Sequence, residues 1–565
     1  MLMQYKFISS SRDYSEWLIE PNININPIDN KLLSNDIFKA GSHEISIISS
    51  PARDYQFHAG VLILQGNKTF GKDKKGRMYY KCIPNDKNLP IFLIPYELRI
   101  GFNKNHLNKY VLFSFSNWDN KHPMGMLKET FGDVDNFDSF CNYQLWCKKL
   151  VHSISTFNRR VKLGLKNLPE EMYIKSIIEN DKYKIIDKRS EKVYTIDPKD
   201  SKDLDDAFSI TQESDKLFKI TIYIANVFIA LDAFELWNEL TKRVSTIYLP
   251  ENRKTMLPEL LSDNICSLIK GTTRPTFAME FIYNSEDNCI IKDSIDYFNA
   301  LVTISDNFVY EDKNMKQNKC YKMLYKITKK IDNTIFDSHD VISFLMVYMN
   351  KSVANQLLTN RTGVFRVISK NETIQNKSLE TIQDSDAKQT LSLWNTISGS
   401  YELFSDNMNS RHDILDIDSY VHITSPIRRL VDIMNQYYFL KHVFKIESSV
   451  ADKCIHSFEE NIQQLNDDVK YIKKVQSECD LLYSCTHDES LMNSVHDGII
   501  FNKTQENEHF QYNVYIKSIK KISFFKSNLD ISEYSVRKFK LFLFDAENSG
   551  YRKIRLAIQN DDSIC

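Results

Sequence analysis

The chain has 565 residues, with 73 Lys and Arg residues against 74 Asp and Glu residues and a formal net charge of −1. This balance excludes a protein that is basic throughout, although a nucleic-acid partner needs only a local basic channel. The low counts of Gly (14) and Pro (13) exclude collagen-like and Pro/Gly-rich low-complexity chains. The length predicts roughly three to five domains.

The cysteines and the apolar stretches exclude three further classes of protein. The closest cysteine pairs, Cys141/Cys147 and Cys479/Cys485, do not have Cys-x-x-Cys spacing, so neither a paired-cysteine zinc site nor a disulfide scaffold is expected. No stretch approaches the ~20 apolar residues that span a bilayer, and the first residues lack the apolar core of a signal peptide. We therefore predict a soluble, intracellular protein without a membrane partner, with the cytoplasm favoured over the nucleus.

The first part of the chain has the pattern of short strands separated by turns. Strands are predicted at Ile45–Ile48, Gly60–Leu64, Met78–Cys82, Pro90–Ile94 and Tyr110–Ser114. This spacing is typical of small barrels or sandwiches. Apolar residues at three- and four-residue intervals then predict a helical stretch over Asp138–Phe157. The charged, irregular sequence over Lys162–Lys192 predicts a linker.

A large mixed α/β segment follows, from about Val193 to Ser484. Its predicted helices are Val341–Leu358, Ile427–Phe444 and Ser457–Tyr483. From about Val495 the sequence returns to strand-like runs, namely DGIIFNK, FQYNVYIKSI, KFKLFLF and KIRLAI. The sequence thus predicts all-β pieces at both ends of a central α/β part.

The most informative feature is an acidic cluster. Its members are Asp197, Asp200, Asp203, Asp205 and Asp206. A solvated acidic loop is the alternative, but apolar, strand-like sequence flanks the cluster, and enclosed like charges repel unless a cation neutralises them. Carboxylate oxygens suit hard cations, and Mg²⁺ accepts a few carboxylates together with substrate phosphate oxygens. Two such ions, ~3.5–4 Å apart, can activate a water and stabilise the leaving oxygen of a phosphodiester.

The cluster resembles the catalytic signature of the RNase II family, the RNB-domain exoribonucleases, whose pattern is I-D-P-x-x-x-x-D-x-D-D-A. The family's four aspartates fall on Asp197, Asp203, Asp205 and Asp206, and the resemblance implies that they hold metal. Three later features resemble the family in the same order: Tyr248–Leu268, the block from His412 to Arg429, and the position of Glu478. Several matches in register are far more specific than one short motif.

The resemblance implies roles for the other candidate residues. Asp205 and Arg428 are the expected catalytic residues, Arg428 because a planar guanidinium matches two phosphate oxygens. The expected RNA-binding residues are Tyr248, Tyr310, Tyr420, Thr424, Ser425, Arg429 and Glu478. Three alternatives stay open: Tyr248 and Tyr310 as core aromatics, the two arginines as surface residues of a helix, and Thr424 and Ser425 as helix caps.

Four departures from the family pattern bear on rate and processivity. Asn226 stands where the family usually has Asp, Ser343 where a Glu pair begins, and Gln436 where a His is usual. The chain between Tyr310 and Asp340 is too short for the family's usual hairpin insertion, which can carry a second base-clamping aromatic. The four aspartates and Arg428 are all retained.

The resemblance implies a multidomain α+β protein with OB-type cold-shock β-barrels, a central α/β RNB catalytic domain and a C-terminal OB-type β-barrel. The expected domains are a shortened cold-shock-type barrel (1–55), a second one (56–135), a helical segment and linker (136–187), the RNB domain (188–488) and an RNA-binding barrel (489–565). The ends are similar to the eukaryotic, exosome-associated branch, without its N-terminal endonuclease domain.

The implied activity is metal-dependent, hydrolytic 3′→5′ degradation of single-stranded RNA to nucleoside 5′-monophosphates. The expected cofactor is Mg²⁺, with Mn²⁺ as the alternative and two ions during catalysis. The expected partner is single-stranded RNA, and the default state is a monomer, with membership of an RNA-decay complex as the alternative. The competing function is that of a catalytically weak or inactive RNA-binding or scaffold protein with the same fold.

Overall fold

The structure is a computed structural model that describes residues 3–41, 45–55, 57–98, 106–368, 387–388, 391, 399–408, 410–506, 509–545 and 552–559. The chain divides into two compact units. One comprises Met1–Val151 with Lys473–Cys565, and the other is His152–Ile472. Within the described ranges, no helix combines the length and the apolar character needed to cross a membrane.

The first unit begins with a four-stranded antiparallel sheet of order β2-β1-β3-β4. Its strands are β1 (Gln4–Ser9), β2 (Trp17–Glu20), β3 (Ile37–Ala40) and β4 (Ile45–Ser49). The predicted shortened barrel over 1–55 is thus an open sheet in the part that the structure describes. Four strands of four to six residues enclose little volume, and Phe7 and Phe38 share one hydrophobic core with the barrel that follows.

A closed five-stranded barrel follows the short helix Pro51–Asp54, in the order β5-β6-β7-β9-β8. Its strands are β5 (His58–Leu62), β6 (Met78–Pro84), β7 (Phe92–Tyr96), β8 (Lys109–Asn117) and β9 (Met124–Asp133). Only β7 and β9 run parallel, and the other neighbours are antiparallel. This Greek-key order is that of an OB fold. All four strands predicted here from the sequence are confirmed, and β9 is a further one.

The predicted helix over Asp138–Phe157 is shorter than expected, and the predicted linker is largely helical. The helix Phe137–Cys147 is capped by the preceding residue, Asn136, whose side chain accepts a hydrogen bond from the Ser139 backbone. In the second unit, the helices Ser155–Asn167 and Glu170–Glu179 occupy most of the expected linker. Each buries apolar residues four positions apart, Phe157 with Val161 and Tyr173 with Ile177. The linker prediction was wrong because the charged residues form the outer faces of amphipathic helices.

The second unit is built on a seven-stranded mixed sheet of order β10-β18-β11-β12-β13-β16-β17. The strands of this sheet are β10 (Ile185–Asp187), β11 (Val193–Asp197), β12 (Asp206–Gln212), β13 (Leu217–Ala225), β16 (Thr273–Asn284), β17 (Cys289–Ile290) and β18 (Asp296–Val309). Two small hairpins accompany it: β14 (Ile247–Tyr248) with β15 (Arg253–Lys254), and β19 (Val364–Val367) with β20 (Ser400–Leu403). Because β11 ends at Asp197 and the adjacent β12 begins at Asp206, the acidic loop between them lies where these two interior strands meet, at one end of the strands.

The sheet of the second unit is accompanied by several helices. Besides Ser155–Asn167 and Glu170–Glu179, the described helices of this unit are Val227–Ala233, Lys313–Gln317, Lys319–Ile331, Ser338–Thr359, Leu430–His442, Ser449–Glu459 and the first part of Ile462–His487, which belongs to the first unit from Lys473 onward. The prediction over Val341–Leu358 is confirmed within a longer helix, which begins with a capping box between Asp337 and Asp340. The one over Ser457–Tyr483 is divided at Glu460 and Asn461 into two helices.

In the C-terminal part of the first unit, the end of the helix Ile462–His487 is followed by the short helix Glu489–Asn493 and a five-stranded antiparallel sheet. The strands are β21 (Val495–Glu506), β22 (His509–Ile516), β23 (Lys521–Ser527), β24 (Val536–Asp545) and β25 (Arg552–Ile558). Their order, β23-β22-β21-β24-β25, is the OB order opened between β23 and β25. The four predicted strands are confirmed, and β23 is a further one.

Candidate active site

The acidic loop brings two carboxylates with unusual ionisation to the ends of adjacent strands. Burial is the main cause that raises the pKa of Asp197 to about 7, and the charges of Asp205 and Asp203 act in the same direction. Burial also raises the pKa of Asp206 to about 7, with the charge of Asp197 as the next cause. One oxygen of Asp197, Oδ2, is buried and has no hydrogen-bond partner among the described residues. Negative charge is thus concentrated where little solvent can screen it.

Asp205 lies beside these two acids but is fully engaged. Its Oδ1 accepts a hydrogen bond from the backbone N–H of Ile427 at 2.8 Å, and its Oδ2 accepts one from Arg428 Nε at 3.0 Å. Burial raises the pKa of Asp205 to about 7, although Arg428 and the Ile427 N–H oppose this shift. Arg428 also donates to Ser425 Oγ at 2.7 Å. The candidate catalytic pair predicted from the sequence is therefore in direct contact.

Asp203 is held by two residues of the β14–β15 hairpin. The Tyr248 hydroxyl donates to Asp203 Oδ2 at 2.5 Å, and an amino group of Arg253 lies 2.9 Å from Oδ1. Arg253 forms a second ion pair with Asp263. The sequence analysis did not single out Arg253 or Asp263. The acidic residue at 263, ten positions after a cation, is a pattern too common to reveal this bridge.

The four aspartates test whether the site fits a divalent cation. In the described part of the chain, no three His, Cys, Asp or Glu side chains are arranged so that they could hold a metal ion. Asp203 and Asp205 each form an ion pair, with Arg253 and Arg428 respectively. Asp197 and Asp206 nevertheless fit a hard cation, because they are oxygen donors with mutually repelling charges and one buried oxygen lacks a partner. Mg²⁺ commonly takes only one or two protein carboxylates alongside phosphate oxygens.

The segment from Tyr420 to Arg429 is anchored by buried polar residues, and four predicted RNA-binding residues lie in it. Asn350 accepts a hydrogen bond from the Ile423 backbone at 3.0 Å and donates to the Tyr420 hydroxyl at 3.0 Å and to Thr424 Oγ1 at 3.4 Å. Tyr420 and Thr424 are buried. These two side chains therefore shape the segment from within, and their RNA-binding role stays a prediction.

The other two predicted RNA-binding residues of this segment, Ser425 and Arg429, both contact Asp432. Its Oδ1 accepts hydrogen bonds from the Ser425 backbone at 2.7 Å and from Arg429 at 2.8 Å. Asp432 is fully buried, so it ties the start of the helix Leu430–His442 to the turn that carries Arg428. Arg429 is directed to this internal acid, whereas Arg428 is directed to the acidic loop. The two consecutive arginines thus have different surroundings.

Tyr310 lies near the acidic pair, stacked on a histidine that the sequence analysis missed. Its ring centroid is 3.7 Å from that of His339, with an angle of 11° between the planes. Burial raises the pKa of the Tyr310 hydroxyl, with the charges of Asp206 and Asp197 as the next causes. Glu478 lies on the helix Ile462–His487, in the unit that comprises the two ends of the chain, and its RNA-binding role stays a prediction.

Two of the departures from the family pattern have structural partners. Asn226 caps the helix Val227–Ala233, since its side chain accepts a hydrogen bond from the Ile229 backbone at 3.2 Å. It also donates to Asn299 at 3.0 Å. Gln436 is buried and donates to the Ala225 carbonyl at 2.8 Å. Both residues stabilise elements behind the acidic loop, and Ser343 lies exposed on its helix.

The comparison with protein-family models matches the RNB domain over residues 185–334 and 305–445. The central part of the chain is thus an RNB domain. The DIS3-like exonuclease 2 of Schizosaccharomyces pombe is 31% identical over 217 residues, which are 36% of this chain and 22% of that protein. The inactive exonuclease DIS3L2 of Arabidopsis thaliana is 26% identical over 223 residues, which are 38% of this chain and 20% of that protein. The matches thus span about a fifth of the length of these curated relatives.

A solved structure of this RNB family resembles the whole chain. The RNase R of Mycoplasma genitalium, in complex with ribose methylated single-stranded RNA, superimposes with a TM-score of 0.70 at 15% identity. The match covers 98% of this chain and 100% of that chain. The predicted fold class, a multidomain α+β protein with OB-type barrels and a central RNB domain, is thereby confirmed.

Proposed function

We propose that this RNB protein is a metal-dependent, hydrolytic 3′→5′ exoribonuclease that degrades single-stranded RNA to nucleoside 5′-monophosphates. The observation that carries the proposal is the half-buried pair Asp197 and Asp206, whose pKa values are raised to about 7 and in which Asp197 Oδ2 is buried without a partner among the described residues. Such a pair is costly for folding unless a ligand uses it. Arg428 supplies a cation beside it, as a phosphodiester requires.

The proposed roles divide the charged residues into two groups. Asp197 and Asp206 would hold a divalent cation, Mg²⁺ or Mn²⁺, with Asp203 and Asp205 as the other candidate ligands and two ions as the expected number. When bound, such ions lower the pKa of a coordinated water and neutralise charge on phosphate oxygens. Arg428 binds the scissile phosphate and stabilises the negative charge that develops on it. Asp205 fixes the guanidinium through Nε and one N–H is donated to Ser425 Oγ, so the remaining N–H groups are the ones that would bind the phosphate.

The proposed RNA contacts near the scissile bond are aromatic. Tyr248 is 41% exposed, so a base can reach it and stack on its ring. Tyr310 and His339 form a second stacked pair on the side of Asp206 and Asp197. The ribose-methylated RNA bound by the mycoplasma RNase R supports single-stranded RNA as the ligand class. A monomer remains the default state.

A second candidate function is an RNA-binding protein of the same fold with little or no turnover. One structural observation favours it: Asp203 and Asp205 are already paired with Arg253 and Arg428, and no three acidic side chains of the described ranges form a metal site. The relative from Arabidopsis thaliana that is named inactive adds to this alternative. Retention of all four aspartates argues against it.

Labelled RNA distinguishes the two functions. Single-stranded RNA labelled at its 5′ end, incubated with Mg²⁺, should shorten progressively from the 3′ end. The same RNA labelled at its 3′ end should release labelled nucleoside 5′-monophosphate from the first turnover. EDTA should stop both reactions. RNA that is bound but never shortened with Mg²⁺ or Mn²⁺ would establish the second candidate instead.

A further inference from the structure

Asp203, like Asp205 and unlike Asp197, has a hydrogen-bond donor for each of its carboxylate oxygens. Tyr248 donates to one oxygen and Arg253 to the other, and the carboxylate is only 9% exposed. A cation that used Asp203 would first have to displace at least one of these hydrogen bonds. Hydrogen bonds to a charged group are among the stronger ones in proteins.

Both donors belong to one hairpin, and Arg253 is fixed from two sides. Tyr248 in β14 stands directly opposite Arg253 in β15. Side chains at opposed positions of an antiparallel pair lie on the same face and act together. Arg253 is also paired with Asp263, whose Oδ1 accepts a hydrogen bond from Ser262 at 2.7 Å. The guanidinium therefore has an anchor other than Asp203, whereas the Tyr248 ring has an exposed face.

We propose that Tyr248 and Arg253 are positioning residues that hold Asp203 away from a divalent cation until an RNA base engages the Tyr248 ring. The inference rests on the proposed function, since it assigns that function's metal and its RNA to the same carboxylate. The hydroxyl that holds Asp203 is at the end of the ring on which the base stacks. A base that reorients the ring therefore weakens the bond to Asp203 and lets it join Asp197 and Asp206.

The arrangement makes metal binding and RNA binding cooperative. If RNA raises the affinity for the cation by releasing Asp203, the cation must raise the affinity for RNA by the same factor. It also accounts for the lack of a three-carboxylate site among the described residues of a chain that retains four aspartates. The benefit is that a free enzyme does not assemble its full hydrolytic site before substrate arrives.

Mn²⁺ binding to the full-length chain, followed by electron paramagnetic resonance without RNA, tests the inference. Tyr248→Phe keeps the ring and removes only the hydroxyl, so Asp203 no longer has to break that bond. Mn²⁺ should bind about three- to tenfold more tightly than to the wild type. Tyr325→Phe is the matched control, because its hydroxyl donates to the Phe336 carbonyl and contacts no site carboxylate. Equal Mn²⁺ affinity in wild type and Tyr248→Phe would overturn the inference.

A double-mutant cycle with Asp203→Asn shows whether the effect acts through Asp203. In the Asp203→Asn background, Tyr248→Phe should leave Mn²⁺ affinity unchanged, and an undiminished tightening there would overturn the inference. The results for Mn²⁺ binding and for RNA degradation can differ, so the inference and the proposed function are tested independently. Tighter Mn²⁺ binding in a chain that degrades no RNA would support the inference and refute the nuclease, while a chain that degrades RNA with unchanged Mn²⁺ affinity would do the reverse. If no variant binds Mn²⁺, the inference is overturned, while the proposed function is decided separately by RNA degradation with Mg²⁺ and its loss with EDTA.

Discussion

Arg428 and Asp205 form an ion pair in which the acid is buried and the base reaches solvent. Arg428 Nε lies 3.0 Å from Asp205 Oδ2, and the side chains are 41% and 2% exposed, respectively. The second carboxylate oxygen is fixed by the Ile427 backbone N–H, one residue before the arginine. The acid therefore sets both the start of the turn and the direction of the guanidinium.

Asp205→Asn should reduce the single-turnover rate of RNA degradation by about 10²–10³. The amide can still accept the Ile427 hydrogen bond, but it no longer neutralises Arg428 or holds it by charge. Affinity for long RNA, measured by fluorescence anisotropy, should stay near that of the wild type or tighten, since a negative charge is removed from the channel. Asp200→Asn is the control, because Asp200 is exposed in the same loop and lies outside the signature. A variant that degrades RNA at the wild-type rate would refute the assigned mechanism.

Arg428→Ala should lower kcat far more than it lowers affinity for long RNA. A long substrate is held by many phosphate contacts, so one lost contact costs little binding. The scissile phosphate gains charge only in the transition state, and removal of a preorganised donor there costs about 10²–10³ in rate. The control is Arg411→Ala, which removes an exposed arginine paired with Asp413 in the same unit. A change confined to KM would mean that Arg428 only tethers the substrate.

The site residues that could be predicted from the sequence are those that belong to short continuous motifs. The acidic signature and the Arg428 block are local patterns, and the structure brings Asp205 and Arg428 together across more than 200 positions of chain. The OB-type strands were predictable for the same reason, since alternation and turns are local signals. The helix Glu170–Glu179 was not predicted because its charged outer face gives the segment the composition of a linker, although Tyr173 and Ile177 are buried on its inner face.

Residues that act through long-range contacts could not be found in this way. Arg253 resembles any surface arginine in the sequence, and only the pairing of β14 with β15 places it against Asp203. His339 lies at the end of the short segment between Tyr310 and Asp340, and its stacking on Tyr310 depends on how the helix Ser338–Thr359 packs against the end of β18. Asn350 lies within the helix Ser338–Thr359, and its hydrogen bonds to Tyr420 and Thr424 reach a segment some 70 residues later in the chain.

The raised pKa of Asp206 predicts an unusual pH dependence of stability in the metal-free protein. Its pKa rises from the ordinary 3.8 to about 7 on folding, so the folded state binds more protons than the unfolded state in that window. The free energy of unfolding should therefore fall as pH rises from about 4 to about 7. Asp206→Asn removes this penalty and should be more stable than wild type by roughly 1–3 kcal/mol at neutral to alkaline pH.

Urea unfolding at pH about 8 and about 5 measures this effect, with EDTA present throughout. The gain from Asp206→Asn should shrink at the lower pH, because wild-type Asp206 is then protonated in the folded state. Repeating the alkaline titration with excess Mg²⁺ should also shrink it, since a bound cation compensates the charge. Asp187→Asn is the control, an exposed acid whose pKa is lowered, first by its hydrogen bond with Arg189. If Asp206→Asn raises the free energy of unfolding equally at both pH values, the pKa of Asp206 is not raised in the folded protein.

Tyr248→Ala should change where degradation stops rather than whether it occurs. Stacking of a base on one aromatic ring contributes about 1–3 kcal/mol, a loss that is diluted on a long RNA by many other contacts. As the substrate shortens, the contacts at the 3′ end carry a growing share of the binding, so the variant should release longer final oligonucleotides. Tyr248→Phe retains the ring and should release products of wild-type length. The measurement is the end-product length of 5′-labelled RNA on a sequencing gel. Identical lengths in Tyr248→Ala and wild type would mean that Tyr248 does not stack on a base and acts only as a hydrogen-bond donor to Asp203.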